Sequence, residues 1–218
     1  MTFELWLSFT FAAGILLITP GPTILLVVSY ALSIGRIEAL AMVAGVGLGD
    51  FIAMSLSLIG LGALLAASAT AFIIMKWVGA AYLAYMGIRM IMTARRAAGT
   101  IEAIDADEAN YNKTISRKTA GAAFRDATIV TVLNPKSIGF FIAFVPQFIA
   151  PDAPLAPQFA TMLATFVGLG VLNALAYALL AAHVRNRIKT PHILLWMHRA
   201  GGAVLLGLAL FTATLRRG

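Results

Sequence analysis

Six long apolar runs follow one another along the chain, and short polar or small-residue turns separate most of them. An α-helix rises about 1.5 Å per residue, so about 20 apolar residues cross the roughly 30 Å core of a bilayer. All six runs reach that length. The pattern therefore predicts an all-α, polytopic membrane protein with six transmembrane helices, at about 4–34, 37–65, 69–94, 120–149, 155–183 and 192–214.

The first and the fourth predicted helices contain proline motifs in the middle of their apolar runs. These motifs are Thr19-Pro20-Gly21-Pro22 and Asn134-Pro135-Lys136-Ser137. Proline lacks an N–H group and its ring clashes with the carbonyl four residues earlier, so neither run can be one continuous helix. We predict a break in each, with Thr19 and Asn134 as N-caps of a second half-helix that starts with proline in its first turn.

The two halves of the chain resemble each other. The segment 45–50, Gly-Val-Gly-Leu-Gly-Asp, is similar to the segment 168–173, Gly-Leu-Gly-Val-Leu-Asn, and the two proline motifs occupy corresponding positions. Three helices per half is an odd number, which inverts the second half relative to the first. We expect two inverted three-helix repeats, 1–96 and 119–218, joined by a cytoplasmic linker, 97–118, in one compact membrane domain.

The composition supports membrane insertion and predicts an orientation. Of the 218 residues, 61% are hydrophobic and 11% are charged, which is far from the balance of soluble domains. The net charge of +7 lies in loops without interleaved aromatic residues, so we expect contact with lipid headgroups and no nucleic-acid partner. Twelve Lys and Arg residues lie on one side against three on the other, which predicts a cytoplasmic location for that side and both termini outside.

Two charged residues lie deep inside predicted helices. Asp50 is about 14 residues from Arg36 and so near mid-bilayer, where a charge is costly. A carboxylate there can hold a substrate ammonium or a proton, and the alternative is a hydrogen-bonded structural aspartate. Lys136 opposes the dipole of its helix and needs a partner, either Asp50 or a substrate carboxylate. Asn173, the counterpart of Asp50 in the second half, can bind substrate or bridge helices.

The ends of the broken helices complete the candidate binding site. The first N–H groups of a helix have no partner within it and carry partial positive charge, which suits a carboxylate. In two inverted halves, both such ends would face one centre. The alternative is a pair of structural kinks repaired by neighbouring Ser or Thr side chains. The candidate substrate-binding residues are Thr19, Pro20, Gly21, Pro22, Thr23, Asp50, Asn134, Pro135, Lys136, Ser137 and Asn173.

Four motifs occur together in this chain. They are Thr-Pro-Gly-Pro at 19–22, Gly-x-Gly-x-Gly-Asp at 45–50, Gly-Ala-Ala-Tyr-Leu-x-x-x-Gly at 79–87 and Asn-Pro-Lys at 134–136. Together they resemble the LysE/RhtB family of bacterial amino-acid exporters, over nearly the whole chain. The resemblance implies a multi-pass protein of the bacterial inner membrane that exports amino acids or close derivatives, driven by the proton-motive force. The site residues that it implies are Pro20, Gly21, Pro22, Asp50, Asn134, Pro135 and Lys136.

We therefore expect a secondary active transporter that exports an amino acid or a close derivative by proton antiport with alternating access. Asp50 would bind a proton or the substrate ammonium but not both, which suffices for antiport when the site faces each side in turn. Two alternatives stay open: a passive channel or facilitator and, with less support, an intramembrane enzyme. The expected partners are an amino-acid substrate, protons and membrane lipid, with no cofactor and no metal, and homo-oligomer formation is left open.

Overall fold

The structure, a computed structural model, describes residues 1–33, 36–67, 119–150 and 152–184, with single helical positions between 70 and 92 and between 203 and 210. The linker 97–118 lies outside the described residues, and so does most of predicted helices 3 and 6. The count of six helices, the inverted repeat and the boundaries between the halves therefore stay predictions.

The described part of the chain is helical, as predicted. The helices are α1 (Phe3–Ile18), α2 (Pro22–Ser33), α3 (Arg36–Ala67), α4 (Ala120–Val132), α5 (Pro135–Ala143) and α6 (Leu155–Val184), with a 3-10 helix (Val145–Phe148) after α5. Three stretches are long and apolar enough to cross a membrane, namely Ile37–Gly62, Ala120–Phe148 and Leu155–Ala181. Taken as one span, α1 and α2 make a fourth, which is bent by 54° at its break.

The second break agrees with the prediction. Asn134 is the N-cap of α5, its side-chain oxygen accepts a hydrogen bond from the Lys136 N–H at 3.1 Å, and Pro135 is the first helical residue. An Asx cap followed by proline is a local signal that needs no tertiary contact. The start of α5 is therefore set by its own sequence.

The first break is longer than predicted, and the predicted cap is wrong. Thr19 ends α1, where its backbone N–H and its hydroxyl both donate to the Ile15 carbonyl, and α2 begins only at Pro22. A residue that precedes proline is disfavoured in the α region. Because Thr19 and Gly21 each precede a proline, three residues lie outside the helix and Thr19 cannot cap α2.

Two buried clusters lie on either side of the breaks. The first, which we call the aromatic cluster, joins α1, α3, α5 and α6 around Phe9, Phe140, Phe141, Phe144, Phe148 and Phe166. The second, which we call the alanine cluster, joins α2, α3, α4 and α6 around Ala31, Ala123, Ala127, Ala174, Ala178 and Ala181. Since α1 leads from the aromatic cluster to the break and α4 leads from the alanine cluster, the two broken spans run in opposite directions.

Glycines in α3 allow α4 to pack closely against it. A side chain on Gly45 would collide with the Phe124 carbonyl, and a methyl group on Gly49 would lie 2.6 Å from the Cβ of Thr131. Close approach of this kind is typical of small residues at helix interfaces in membranes. This contact between α3 and α4 fixes the position of Asp50, the residue after Gly49, between the aromatic and alanine clusters.

Candidate functional site

Most of the predicted site residues are buried at the level of the two breaks. The polar ones with between 2% and 6% exposure are Thr19, Thr23, Asp50, Asn134, Lys136 and Ser137. Buried polar groups cost free energy unless they are hydrogen-bonded, and buried charges cost more. The partners of these groups therefore decide what the site can bind.

Four carbonyl groups at the end of α1 lose their usual donors at the first break. In an unbroken helix the carbonyls of residues 16–19 would accept hydrogen bonds from the N–H groups of residues 20–23. Pro20 and Pro22 have no N–H group, and the non-helical segment 19–21 carries the other two donors out of reach. Inside a membrane such carbonyls must find partners in the protein.

Side chains from α5 and α6 bond all four of these carbonyls. The donors and acceptors are Lys136 Nζ to Leu16 O (3.0 Å) and Thr19 O (2.6 Å), Asn173 Nδ2 to Leu17 O (2.9 Å), and Tyr177 Oη to Ile18 O (2.7 Å). Of the two roles left open for Asn173, it performs helix bridging in this structure. The repair involves other helices and not the nearby Ser and Thr side chains that the kink alternative assumed.

Lys136 has partners that the sequence did not indicate. Its ammonium group lies on the carbonyl end of α1, where the helix dipole places negative partial charge. Among the described residues it forms no ion pair with Asp50 within 4.0 Å, although the two charges are close enough to act on each other. The sequence predicted Asp50 or a substrate carboxylate as the partner of Lys136, but the hydrogen-bond partners in the structure are backbone carbonyls.

The start of α2, on the other side of the same break, is open. The N–H groups of Gly21, Thr23 and Ile24 have no acceptor in the part of the chain that the structure describes. A methyl group on Gly21 would lie 3.3 Å from Lys136 Nζ, so this end of α2 is adjacent to the ammonium group. Unpaired N–H groups beside an ammonium group provide a favourable environment for an anion.

Asn134 joins the two half-helix starts. Its side-chain nitrogen donates to the Thr23 hydroxyl at 3.1 Å, and the Thr131 hydroxyl also donates to Thr23, at 3.4 Å. The two starts are therefore close together, as two inverted halves would require. They are not equivalent, however, because Asn134 already accepts from the Lys136 N–H in α5, whereas α2 has no such cap among the described residues.

The Asp50 carboxylate lies beside α6 and the end of α1. Its Oδ2 fills the space where a side chain on Gly170 would go, and that space is also 3.9 Å from Leu17 Cδ2. The residue is 3% exposed, yet its carboxylate makes no hydrogen bond to any other described residue. A structural aspartate would have such partners, so this environment favours a role in binding.

Two features of the site were not found from the sequence. Tyr177 is absent from the predicted site, although it lies four residues after Asn173 and hence on the same side of α6. The second feature is the 2.8 Å hydrogen bond from the Tyr30 hydroxyl to Asp126, which joins α2 to α4 beside the alanine cluster. Asp126 lies in the second turn of a predicted membrane helix, which was the available signal.

Comparisons with known proteins identify a family and relatives that match nearly the whole chain. A family model described as LysE type translocator matches residues 14–216. The homoserine/homoserine lactone efflux protein of Salmonella typhimurium is 33% identical over 216 residues, which is 99% of each chain. A protein of Vibrio cholerae described as an uncharacterized membrane protein is 31% identical over 214 residues, 98% of each chain. No solved structure matches the chain significantly.

Proposed function

Because the chain belongs to the LysE type translocator family, and is thus a transporter and not an enzyme, we propose that it exports a small amino acid or a close derivative from the bacterial cytoplasm. The full-length similarity to a homoserine/homoserine lactone efflux protein points to substrates of that size. The observation that carries the proposal is the gap in the first broken helix, whose two ends present opposite partial charges in one buried place.

The gap matches the two charges of an amino acid. The carbonyl end of α1 and the Asp50 carboxylate suit an ammonium group, and the open N–H groups at the start of α2, together with Lys136, suit a carboxylate. A zwitterion that enters the gap satisfies both ends at once. A neutral or singly charged solute would leave one end without a partner.

The name of the Salmonella relative pairs homoserine with its lactone. The lactone keeps the amino group of the amino acid but has no free carboxylate. A carrier that accepts both compounds must recognise the feature that they share, which is the amino group. For this chain we therefore propose that Asp50 and the carbonyl end of α1 contribute more to substrate recognition than the N–H end of α2 does.

Proton coupling follows from the chemistry of Asp50. The carboxylate can hold a proton or face the substrate ammonium, and the two occupants exclude each other. The site residues lie between the aromatic and alanine clusters of the described helices, and we expect that access from either side needs one of the clusters to open. If the clusters open in turn, exclusive occupancy produces export against proton entry. With the basic loops in the cytoplasm and both termini outside, the alanine cluster would face the cytoplasm.

The proposal is tested first by transport. Purified protein in liposomes should carry out counterflow with homoserine or a related amino acid and should concentrate it when a proton gradient is imposed. A passive facilitator would only equilibrate the substrate, and the gradient would have no effect. Absence of counterflow for every compound in an amino-acid panel would contradict export of this class.

The second test is proton release on substrate binding in detergent, for wild type and Asp50→Asn. Wild type should release protons, and its affinity should weaken as the pH falls, because the proton competes with the ammonium at Asp50. A side-chain amide does not titrate, so the variant should release none and its affinity should not change over the same pH range. Asp126→Asn, which changes a carboxylate outside the gap, is the control and should release protons like wild type. If Asp50→Asn released as many protons as wild type, another residue would have to carry the proton coupling.

A further inference from the structure

Lys136 places an ammonium group where the proposed function puts that of the substrate. Its Nζ bonds the Leu16 and Thr19 carbonyls at 3.0 and 2.6 Å, and its positive charge acts on the buried Asp50 carboxylate. An amino acid bound in the gap would present a group of the same charge and the same donors to the same acceptors. The two ammonium groups cannot occupy that position together.

We propose that Lys136 is an internal substitute for the substrate ammonium. In the empty carrier it occupies the ammonium subsite, which consists of the Leu16 and Thr19 carbonyls and lies close enough to Asp50 for the two charges to act on each other. The ligand class of this subsite is a primary ammonium group, with or without a neighbouring carboxylate. Substrate displaces the lysine, which is then free to pair with the substrate carboxylate at the start of α2. The inference rests on the proposed function and adds a competitor to its binding site.

The position of the lysine side chain supports this exchange. A methyl group on Gly21 would lie 3.2 Å from Lys136 Cε and 3.4 Å from its Cδ, so the aliphatic stem passes directly over the non-helical segment between α1 and α2. The open N–H groups of α2 are next to that stem. A change in side-chain rotamer thus moves the ammonium from the carbonyl end of the gap to the N–H end without a shift of α5.

Electrostatics gives a reason for such a substitute. Without an ammonium group, the Leu16 and Thr19 carbonyls would have no donor in the empty gap, and an unpaired polar group costs free energy in an apolar surrounding. With Lys136 in place, all four carbonyls are bonded. With a proton on Asp50 the carboxyl group is neutral as well, so the carrier can enclose its substrate-free site on the proton-loaded return that the proposed antiport requires.

The inference is tested with Lys136→Met and a ligand that lacks the carboxylate. The probe is 2-amino-1,4-butanediol, which is homoserine with its carboxylate reduced to an alcohol, and affinity is measured by calorimetry in detergent. Removing the internal competitor should raise the affinity for this amine about tenfold or more. The preference for homoserine over the amino alcohol should fall, because the lysine no longer pairs with the carboxylate.

Arg125→Met is the matched control, because it also replaces one positive charge with methionine, but on an exposed side chain of α4 that pairs with Asp126 outside the gap. Its affinity for the amino alcohol should stay within about twofold of wild type. If Lys136→Met is not monodisperse, Lys136→Gln replaces it with the same expectation. Unchanged or weaker amine binding in the lysine variant overturns the inference. Counterflow by wild type reports on the proposed function separately.

Discussion

The two broken helices meet where Asn134 bonds Thr23, but their breaks are repaired from different places. At the second break the donors and acceptors are neighbours in sequence: Leu133 N–H donates to Ile129, and Asn134 caps α5. At the first break, the side chains that bond the end of α1 lie between 117 and 159 positions further along the chain. One break is closed by its own residues and the other by tertiary structure.

This difference assigns different roles to the two breaks. A locally capped break keeps its shape when neighbouring helices shift, because its hydrogen bonds move with it. A remotely capped break changes whenever α5 or α6 moves, and its carbonyls must then find new donors. We therefore propose that the first break is the one that substrate or a conformational change alters, while the second holds Lys136 and Asn134 in place.

The largest effect is expected from the double variant Pro20→Ala with Pro22→Ala. It restores N–H groups for the Leu16 and Ile18 carbonyls and removes two ring clashes, so α1 and α2 can join and close the gap. The protein should still insert and should resist heat at least as well as wild type. Its counterflow rate in liposomes should fall about a hundredfold, since the proposed binding groups would be displaced by more than about 1 Å.

Pro135→Ala is the matched change at the other break. Asn134 can cap α5 whether or not proline follows it, so counterflow should stay within about tenfold of wild type. Full activity in the Pro20 and Pro22 double variant would make the first break a structural kink. If the counterflow rate fell equally in the double variant and in Pro135→Ala, the two breaks would not differ in their importance for transport.

A smaller effect is expected from Tyr177→Phe, which leaves the Ile18 carbonyl without its donor. The free energy of unfolding, measured by denaturant titration in detergent, should drop by about 1–3 kcal/mol. Pro22→Ala supplies an N–H group four residues after Ile18. When it is present, Tyr177→Phe should lower the free energy of unfolding by less than it does in the wild-type background. Strict additivity would show that Tyr177 acts by packing and not as a donor.

The smallest effect is expected at Asn134, where the repair is local. Asn134→Ala removes the cap of α5 and should lower the free energy of unfolding by about 1 kcal/mol. Asn134→Ser keeps a capping oxygen but cannot reach Thr23 in the same way, and it should lose only a part of that amount. Equal losses for the two variants would mean that the bridge to Thr23 matters and the cap does not.

The sequence predicted the features that depend on neighbouring residues and did not predict those that depend on distant ones. The positions of both breaks and the cap at Asn134 depend on chemistry within a few residues, and all were found. The cap assigned to Thr19 failed because two prolines in alternate positions extend the non-helical segment. The burial of Asp50 between helices also followed from its place in an apolar run.

The donors to the end of α1 could not be predicted in this way. Which carbonyl Tyr177 or Asn173 reaches depends on the rotation of α6 about its own axis and on its height relative to α1. Both are set by packing in the aromatic and alanine clusters, in which residues distant in sequence come together. The pattern of a single helix shows which side is polar but does not show what that side meets.

The length of α3 connects this site to the lipid around it. Its apolar stretch, Ile37–Gly62, has 26 residues and is about 39 Å long, more than the roughly 30 Å hydrocarbon core. The helix must tilt, and it must tilt further in a thinner bilayer. The first broken span can adapt differently, because a change of its 54° bend alters its height by tilting one half while the other half keeps its direction. Acyl-chain length therefore acts on the angle at Thr19–Gly21, and the transport rate should have an optimum in membrane thickness.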